Sequence, residues 1–248
     1  MTLQDFFQTN NKIALAFSGG VDSAYLLYAG IQAGCDIHAY YVKSAFQPQF
    51  ELDDAKRLSK ELGAKMTILE LDVLSDSVIT NNPSNRCYYC KQKIFQTILA
   101  AAKTDGYEII IDGTNASDDA DDRPGMKALS ELKVLSPLRV CGITKDMVRQ
   151  FSKEVGLFTW DKPAYACLAT RIPSGQHITP TILEATEASE KALFDLGFTD
   201  FRIRLSGSDA KIQIPEDQLE KLFFYRKEIL EKLKPHYTAV TVDLEVRS

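Results

Sequence analysis

Apolar runs alternate with amphipathic segments through the first two thirds of the chain, and turn-forming residues separate them. Four runs have the length and composition of buried strands: KIALAFSGG (12–20), DIHAYYVKSAF (36–46), AKMTILELDV (64–73) and YEIIIDGT (107–114). Helical spacing is found in VDSAYLLYAGIQAG (21–34), PQFELDDAKRLSKELG (48–63), KQKIFQTILAAAK (91–103) and TKDMVRQFSKEVG (144–156). This order predicts an α/β domain with a Rossmann-like parallel sheet over residues 1–163, extended by KVLSPLRV (133–140). We expect a polar loop at NNPSNRCYYC (81–90).

The pattern changes in the last third of the chain. A long helix is predicted at TILEATEASEKALFDLG (181–197), followed by the strands DFRIRL (200–205) and AKIQI (210–214). A second helix at EDQLEKLFFYRKEILEKLK (216–234) and a last strand at YTAVTVDLEV (237–246) complete the pattern. Residues 164–248 are therefore expected to form a smaller α+β domain.

Composition narrows the class of protein. The 248 residues are 45% hydrophobic and 25% charged, with a net charge of −5, as expected of a globular protein with a substantial core. The acidic balance argues against nucleic acid as the main partner. The N-terminus MTLQDFFQTNNK lacks the features of a secretory signal, and no apolar run reaches the length of a membrane span. We therefore expect a cytoplasmic location and no membrane partner.

The segment SGGVDS (18–23) lies between the first predicted strand and the first predicted helix. Backbone N–H groups at Gly19 and Gly20, with the hydroxyls of Ser18 and Ser23, would form a nest for an anion at the helix N-terminus. The lysine-containing P-loop motif is absent, so this is a different kind of phosphate loop. A plain tight connection between strand and helix is the alternative interpretation.

The whole segment resembles the PP-loop of the ATP pyrophosphatase superfamily, which cleaves ATP to AMP and pyrophosphate. The resemblance implies that Mg²⁺-ATP binds here, with Asp22 near the metal or the α-phosphate and Lys43 in YVKSAF near the adenine. Gly113 belongs to DGT, and Arg123 follows it in an acidic loop where it is expected to pair with a phosphate. That loop also contains four aspartates, which either assist Mg²⁺ or form a solvated surface: Asp118, Asp119, Asp121 and Asp122.

Three of the five cysteines are candidate metal ligands. Cys87 and Cys90 form a Cys-x-x-Cys pair with basic neighbours, and Cys167 is a third thiol near the end of the first domain. Three thiolates suit a [4Fe–4S] cluster with one iron open to an external ligand, whereas a zinc site completed by His or Asp is the alternative. The remaining two cysteines, Cys35 and Cys141, are assigned to packing. None of the histidines has ligand spacing to the cysteines: His38, His177 and His236.

Several segments resemble the LarE family of ATP-dependent sulfur transferases, which build the nickel-pincer nucleotide cofactor. They are AFSGGVDS, DGTNASDDADDRPG, KPAYACLATRIPSG and EASEKALFDLGF with FRIRL, and they extend over nearly the whole chain. The resemblance implies adenylation of a pyridinium dicarboxylate mononucleotide and its conversion to a thiocarboxylate. It also implies that the sulfur comes either from a sacrificed cysteine at Cys167 or, as Cys87 and Cys90 suggest, from a sulfide on a cluster.

The resemblance further implies a phosphate site formed by Glu190, Arg202 and Arg204. The two arginines alternate along a strand and share one face, although an ordinary solvated sheet face has the same pattern. Family members form larger assemblies, which implies a homo-oligomer. The alternatives are a tRNA thiolase, an amide-forming ligase with structural zinc, and a nucleotide-binding module without catalysis.

Overall fold

The structure, a computed structural model, describes residues 1–118 and 124–247. Its strands are β1 (Lys12–Ala16), β2 (Asp36–Lys43), β3 (Lys65–Glu70), β4 (Ile109–Ile111), β5 (Arg202–Ser206), β6 (Asp209–Gln213) and β7 (Val240–Val242). Its helices are α1 (Leu3–Thr9), α2 (Val21–Gln32), α3 (Gln49–Glu61), α4 (Ser77–Thr80), α5 (Arg86–Thr104), α6 (Pro124–Glu131), α7 (Pro137–Val140), α8 (Lys145–Glu154), α9 (Pro180–Asp195), α10 (Leu219–Phe224) and α11 (Arg226–Leu233). Short 3₁₀ helices lie at Leu168–Arg171 and Glu216–Gln218.

The chain divides into two compact units. The first comprises Met1–Val73 and Asn85–Lys162, and the second comprises Leu74–Ser84 and Pro163–Ser248. The sequence analysis placed 74–84 in the first domain, because a boundary drawn along the chain does not show which residues bind each other. The side-chain amide of Asn82 donates to the Pro173 carbonyl at 2.8 Å, and the backbone carbonyl of Asn82 accepts from Gly175 N at 2.7 Å. These bonds attach the segment to the second unit.

The first unit contains the predicted parallel sheet, with strand order β3-β2-β1-β4. Successive residues of β1 face opposite sides of the sheet, so Ile13 and Leu15 enter one core and Ala14 enters the other. Burial on both faces explains why the strands are continuous apolar runs. The Rossmann-like fold predicted from the sequence is confirmed. The chain moves outward from β1 to β3 and then returns to β4 on the other side of β1, which places a topological switch point between β1 and β4.

Two details of the first unit differ from the sequence prediction. The segment KVLSPLRV was expected to extend the sheet, but it contributes only an isolated bridge between Leu135 and Ile111. Lys133 adopts a left-handed φ of 54°, and Pro137 begins α7, so the segment turns away after one bridge. The Cys-x-x-Cys pair was expected in a loop but lies in α5, which begins at Arg86.

The second unit is the predicted α+β arrangement with shorter elements. Its sheet has the order β5-β6-β7, with β5 and β6 antiparallel and β6 and β7 parallel. The predicted helix at 216–234 is divided into a 3₁₀ turn, α10 and α11, with Tyr225 between the two α-helices. The last strand covers three residues rather than ten. The core of this unit packs α9 and α11 on the sheet through Leu193, Ile212 and Leu233.

No helix among the described residues combines the length and the apolar character that are needed to cross a membrane.

Candidate functional site

The glycine loop lies at the carboxyl end of β1, at the switch point of the sheet. Gly19 has a φ of +72°, and a Cβ there would lie 3.2 Å from the Cβ of Ala55 on α3, so the turn needs glycine. The hydroxyls of Ser18 and Ser23 lie 3.1 Å apart, and Gly20 N donates to Ser18 Oγ at 3.3 Å. These bonds fix the loop in one conformation.

Gly20 is the N-cap of α2 and provides no side-chain cap. The first N–H groups of a helix have no partner within the helix, and the helix dipole places partial positive charge there. The Ser18–Ser23 loop therefore presents backbone donors and two hydroxyls at the end of a twelve-residue helix. This arrangement suits the binding of a phosphate group.

The loop after β4 approaches this site closely. A Cβ on Gly113 would lie 3.1 Å from Ser23 N and 3.2 Å from Asp22 Cβ, so glycine permits the approach of the two loops. Asn115 Nδ2 donates to Asp22 Oδ1 at 3.2 Å. The switch point thus joins the β1 and β4 loops through the side chain of Asp22.

Lys145 is a site residue that the sequence analysis missed. Its Nζ lies 2.5 Å from Asp22 Oδ2, although 123 residues separate the two in the chain. Thr144 caps α8 through a bond from Met147 N, and this cap places Lys145 in the first turn of the helix. The only sequence signal was a Thr-Lys pair at a helix start, which does not by itself indicate a ligand. The site therefore combines an ammonium group with the anion-binding loop.

The other described residues predicted at the nucleotide site, Lys43 and Asp118, form hydrogen bonds within their own turns. Lys43 lies at the end of β2 and its Nζ donates to the Gln47 carbonyl within the same turn. The Asp118 carboxylate accepts a hydrogen bond from Asn115 N at 3.0 Å, which fixes the start of the acidic loop. The rest of that loop lies outside the described residues, including the predicted Asp119, Asp121, Asp122 and Arg123.

Cys87 and Cys90 lie three residues apart near the start of α5, so their side chains share one helix face. Cys87 is exposed and Cys90 is half-buried. Tyr88 and Gln92 hold this helix against α6, because both donate to Glu131 Oε2 at 2.7 Å. These contacts between distant residues explain why the pair is helical rather than in the loop that local composition favours.

The third candidate thiol, Cys167, belongs to the second unit. It is half-buried and precedes the 3₁₀ helix, and its carbonyl accepts from the Thr170 hydroxyl at 2.8 Å. Within residues 1–118 and 124–247, no three His, Cys, Asp or Glu side chains form a group that could hold a metal ion. Cys35 is buried, and burial raises the pKa of its thiol to about 11, in agreement with a packing role.

The second unit contains a buried ion pair at the predicted phosphate site. Arg171 Nε lies 2.7 Å from Glu190 Oε1, its Nη2 lies 3.1 Å from Oε2, and both side chains are almost fully buried. Glu190 also accepts from Ile203 N at 3.0 Å and from the Tyr165 hydroxyl. Four donors therefore converge on the Glu190 carboxylate, and Arg171 is a second residue that sequence reasoning missed.

The two arginines of β5 donate hydrogen bonds to neutral acceptors, and Arg202 also forms a loose ion pair with Asp200 at 3.8 Å. Arg202 is buried and donates to the carbonyls of Phe201 and Ala164. Burial, with the nearby charges of Arg171 and Arg247, lowers the pKa of Arg202 to about 10.

Arg204 makes similar bonds on the same strand. It donates to Gln213 Oε1 at 2.6 Å and to the Thr170 carbonyl at 2.7 Å, and burial also lowers its pKa. Positive charge is therefore concentrated here beyond what Glu190 neutralises. The arrangement suits a small anion.

Comparison with known proteins finds relatives over most of the chain. A family profile described as "Thiamine biosynthesis protein (ThiI)" matches residues 8–193. The pyridinium-3,5-bisthiocarboxylic acid mononucleotide synthase of Lactiplantibacillus plantarum is 33% identical over 94% of this chain and 86% of its own length. An uncharacterized protein of Synechocystis is 34% identical over 88% of this chain and 82% of its own length. A tRNA-specific 2-thiouridylase of Clostridium botulinum is 24% identical over 62% of this chain and 53% of its own length.

The parallel sheet and the Ser18–Ser23 loop at its switch point define an ATP-using nucleotide-binding protein of the PP-loop class. The profile covers most of the chain, and one curated relative exceeds 30% identity over nearly all of it. The chain belongs to the ThiI family of PP-loop proteins and, within it, to the LarE group of ATP-dependent sulfur transferases.

Proposed function

We propose that this protein adenylates a carboxylate of a pyridinium dicarboxylate mononucleotide and then replaces AMP with sulfur. In the first step the substrate carboxylate attacks the α-phosphorus of ATP, and the bond to pyrophosphate breaks. In the second step hydrosulfide attacks the acyl carbon, AMP leaves, and the products are a thiocarboxylate and a proton. Adenylation is required because a carboxylate is a poor electrophile and AMP is a good leaving group.

The first step is assigned to the PP-loop in the first unit. The backbone donors of the Ser18–Ser23 loop would hold the phosphates, and Lys145 would stabilise the negative charge that develops on the departing pyrophosphate. Mg²⁺ prefers oxygen ligands, and Asp22 would supply one at the start of α2. Lys145 and Asn115 both orient the Asp22 carboxylate, which supports its role in adenylation.

The observation that carries the choice of substrate is the cluster of guanidinium groups in the second unit, of which Arg202 is buried and Arg204 partly buried. Arg202 and Arg204 donate hydrogen bonds to neutral acceptors, and the loose Arg202–Asp200 ion pair at 3.8 Å offsets their positive charge only in part, so the pair could attract a phosphate. Glu190 is occupied by Arg171, Tyr165 and Ile203 N, and it would position the cluster rather than touch the substrate. A mononucleotide provides a phosphate for this site and a carboxylate for adenylation.

The sulfur-bearing group is proposed to be a [4Fe–4S] cluster, and the chemistry of the donor set fits it. Cys87 and Cys90 offer two accessible thiols on one face of a helix near its positive end, and Cys167 offers a third. When bound by these three residues, the cluster would supply an open iron for a deprotonated sulfide. Cys167 lies close enough to Arg171 for their charges to interact.

Anaerobic assays of purified variants test this function. Asp22→Ala is expected to suppress ATP–pyrophosphate exchange, whereas Cys167→Ala should retain exchange and form no thiocarboxylate. Cys141→Ala is the matched control, because it removes another half-buried thiol that is assigned to packing.

Iron and acid-labile sulfide are measured on the same samples, together with Cys87→Ala. Normal transfer by Cys167→Ala would refute the role of that thiol, and stoichiometric zinc in place of iron would overturn the cluster. Thiolation of bulk tRNA, with no reaction on the pyridinium mononucleotide, would establish the tRNA thiolase instead.

A further inference from the structure

The segment that follows β7 returns to the arginine cluster. Asp243 N donates to the Ile212 carbonyl at 2.8 Å and Arg247 N donates to the Ile214 carbonyl at 3.1 Å, so the segment runs beside β6 and its extension. This path brings the Arg247 side chain to Asp200, just before β5. Arg247 Nε donates to the Asp200 carbonyl at 2.9 Å, and its Nη2 donates to Asp200 Oδ1 at 3.0 Å.

Asp200 lies between two guanidinium groups and forms an ion pair with each, of unequal length. Its Oδ1 is 3.0 Å from Arg247 Nη2 but 3.8 Å from Arg202 Nη1, which is beyond hydrogen-bonding distance. Asp200 has a left-handed φ of 46°, a conformation that aspartate tolerates better than most residues. Arg247 donates to both the backbone carbonyl and the carboxylate of Asp200, and these two hydrogen bonds stabilise the left-handed conformation.

Loss of the Arg247 side chain would change how strongly Asp200 neutralises the charge of Arg202. A carboxylate released from Arg247 could rotate toward Arg202, which is buried, donates to the carbonyls of Phe201 and Ala164, and lies over the Tyr165 ring at 5.3 Å. It would then neutralise the guanidinium and compete with any anionic ligand. Because buried opposite charges attract strongly, this competition would cost the site affinity.

We propose that Arg247 is a positioning residue that keeps the loose ion pair between Asp200 and Arg202 from closing into a hydrogen bond, and so leaves donors of the Arg202 guanidinium available to the phosphate of the substrate. The proposal rests on the assignment of the arginine cluster as the phosphate site. It deepens that assignment by identifying a residue about 45 positions further along the chain that controls the affinity of the site.

Binding of inorganic phosphate to the full-length protein tests the proposal without requiring turnover. Phosphate is titrated while hydrogen exchange of the β5 amides is followed, which reports occupancy of the second unit. Arg247→Gln is expected to weaken binding roughly ten-fold, since one charge-assisted bond is lost to internal competition. Asp200→Asn in the Arg247→Gln background should restore affinity, because the competing carboxylate is gone.

The matched control is Arg226→Gln, which removes one positive charge from α11 in the same unit. Equal weakening by Arg226→Gln and Arg247→Gln, or no rescue by Asp200→Asn, would overturn the proposal. In steady-state assays the Arg247→Gln effect should fall on KM for the mononucleotide and leave kcat unchanged.

The two hypotheses fail in different ways. If the wild type binds no phosphate at the cluster, both the substrate assignment and the role of Arg247 fail. If phosphate binding depends on Arg247 and Asp200 but no thiocarboxylate forms, the positioning role stands and the proposed reaction fails.

Discussion

The substitution Glu190→Gln is expected to destabilise the second unit strongly. Glutamine keeps the shape of the side chain but removes its charge and replaces one acceptor oxygen with a donor NH₂ group. In the wild type, Glu190 accepts from Arg171 twice, from Tyr165 and from Ile203 N. A single carbonyl oxygen cannot serve all four donors, and the new NH₂ group faces some of them.

The magnitude follows from the burial of the pair. Arg171 and Glu190 expose only 1% and 2% of their side chains, so solvent cannot replace the lost partner. Removal of one member of such a buried pair costs about 3–5 kcal/mol, whereas replacement of both by apolar residues of similar volume is often neutral. The double variant Arg171→Met/Glu190→Leu should therefore be more stable than Glu190→Gln alone.

Hydrogen exchange measures this effect locally. The single tryptophan, Trp160, lies in the first unit, so its fluorescence does not report on the second unit. The Ile203 amide donates directly to Glu190, and its exchange rate gives the free energy of opening of the second unit. A change in this free energy below about 1 kcal/mol for Glu190→Gln, or a double variant no more stable than the single one, would refute the reasoning.

Two further predictions concern the first unit. Gly113→Ala should lower the rate of ATP–pyrophosphate exchange by about ten-fold or more, because the added Cβ would displace Asp22. Unchanged exchange together with unchanged thermal stability would contradict this prediction. Burial lowers the pKa of His38 in the folded protein. As the pH falls, the imidazole is therefore protonated more readily in the unfolded chain, and stability should decline below about pH 6.5. His38→Gln should flatten this dependence in urea denaturation, and an identical pH profile in the variant would exclude His38 as its source.

The sequence was sufficient to predict the features that depend on local pattern. Buried strands in a parallel sheet must be apolar on both faces, and the runs around Ile13 and Ile110 satisfied this condition. The glycine pair between a strand and a helix indicated the anion loop, because few other residues permit that turn. In each case the residues that determine the feature lie within about ten positions of one another in the sequence.

Features that depend on distant contacts were missed. Lys145 reaches Asp22 across 123 residues, and no local pattern distinguishes it from a solvated lysine in a first helical turn. Arg171 was part of a quoted motif, but its burial against Glu190 follows from the packing of the second unit. The same limitation applies to Cys87, whose helix is held by contacts with α6 rather than by its own composition.

The burial of the arginine cluster also bears on the choice between a small substrate and tRNA. Proteins that bind long nucleic acids use exposed lysines and arginines along a surface, where each neutralises a backbone phosphate and releases counterions. Arg171 and Arg202 are 1% and 6% exposed, so a polynucleotide backbone on the surface of this unit could not reach them. Arg204 on the same strand is only partly buried, so it is the arginine of the pair that a phosphate group could contact from solvent. Largely buried positive charge in an acidic protein is the arrangement expected for the mononucleotide proposed above, whereas an RNA chain would need an exposed basic surface.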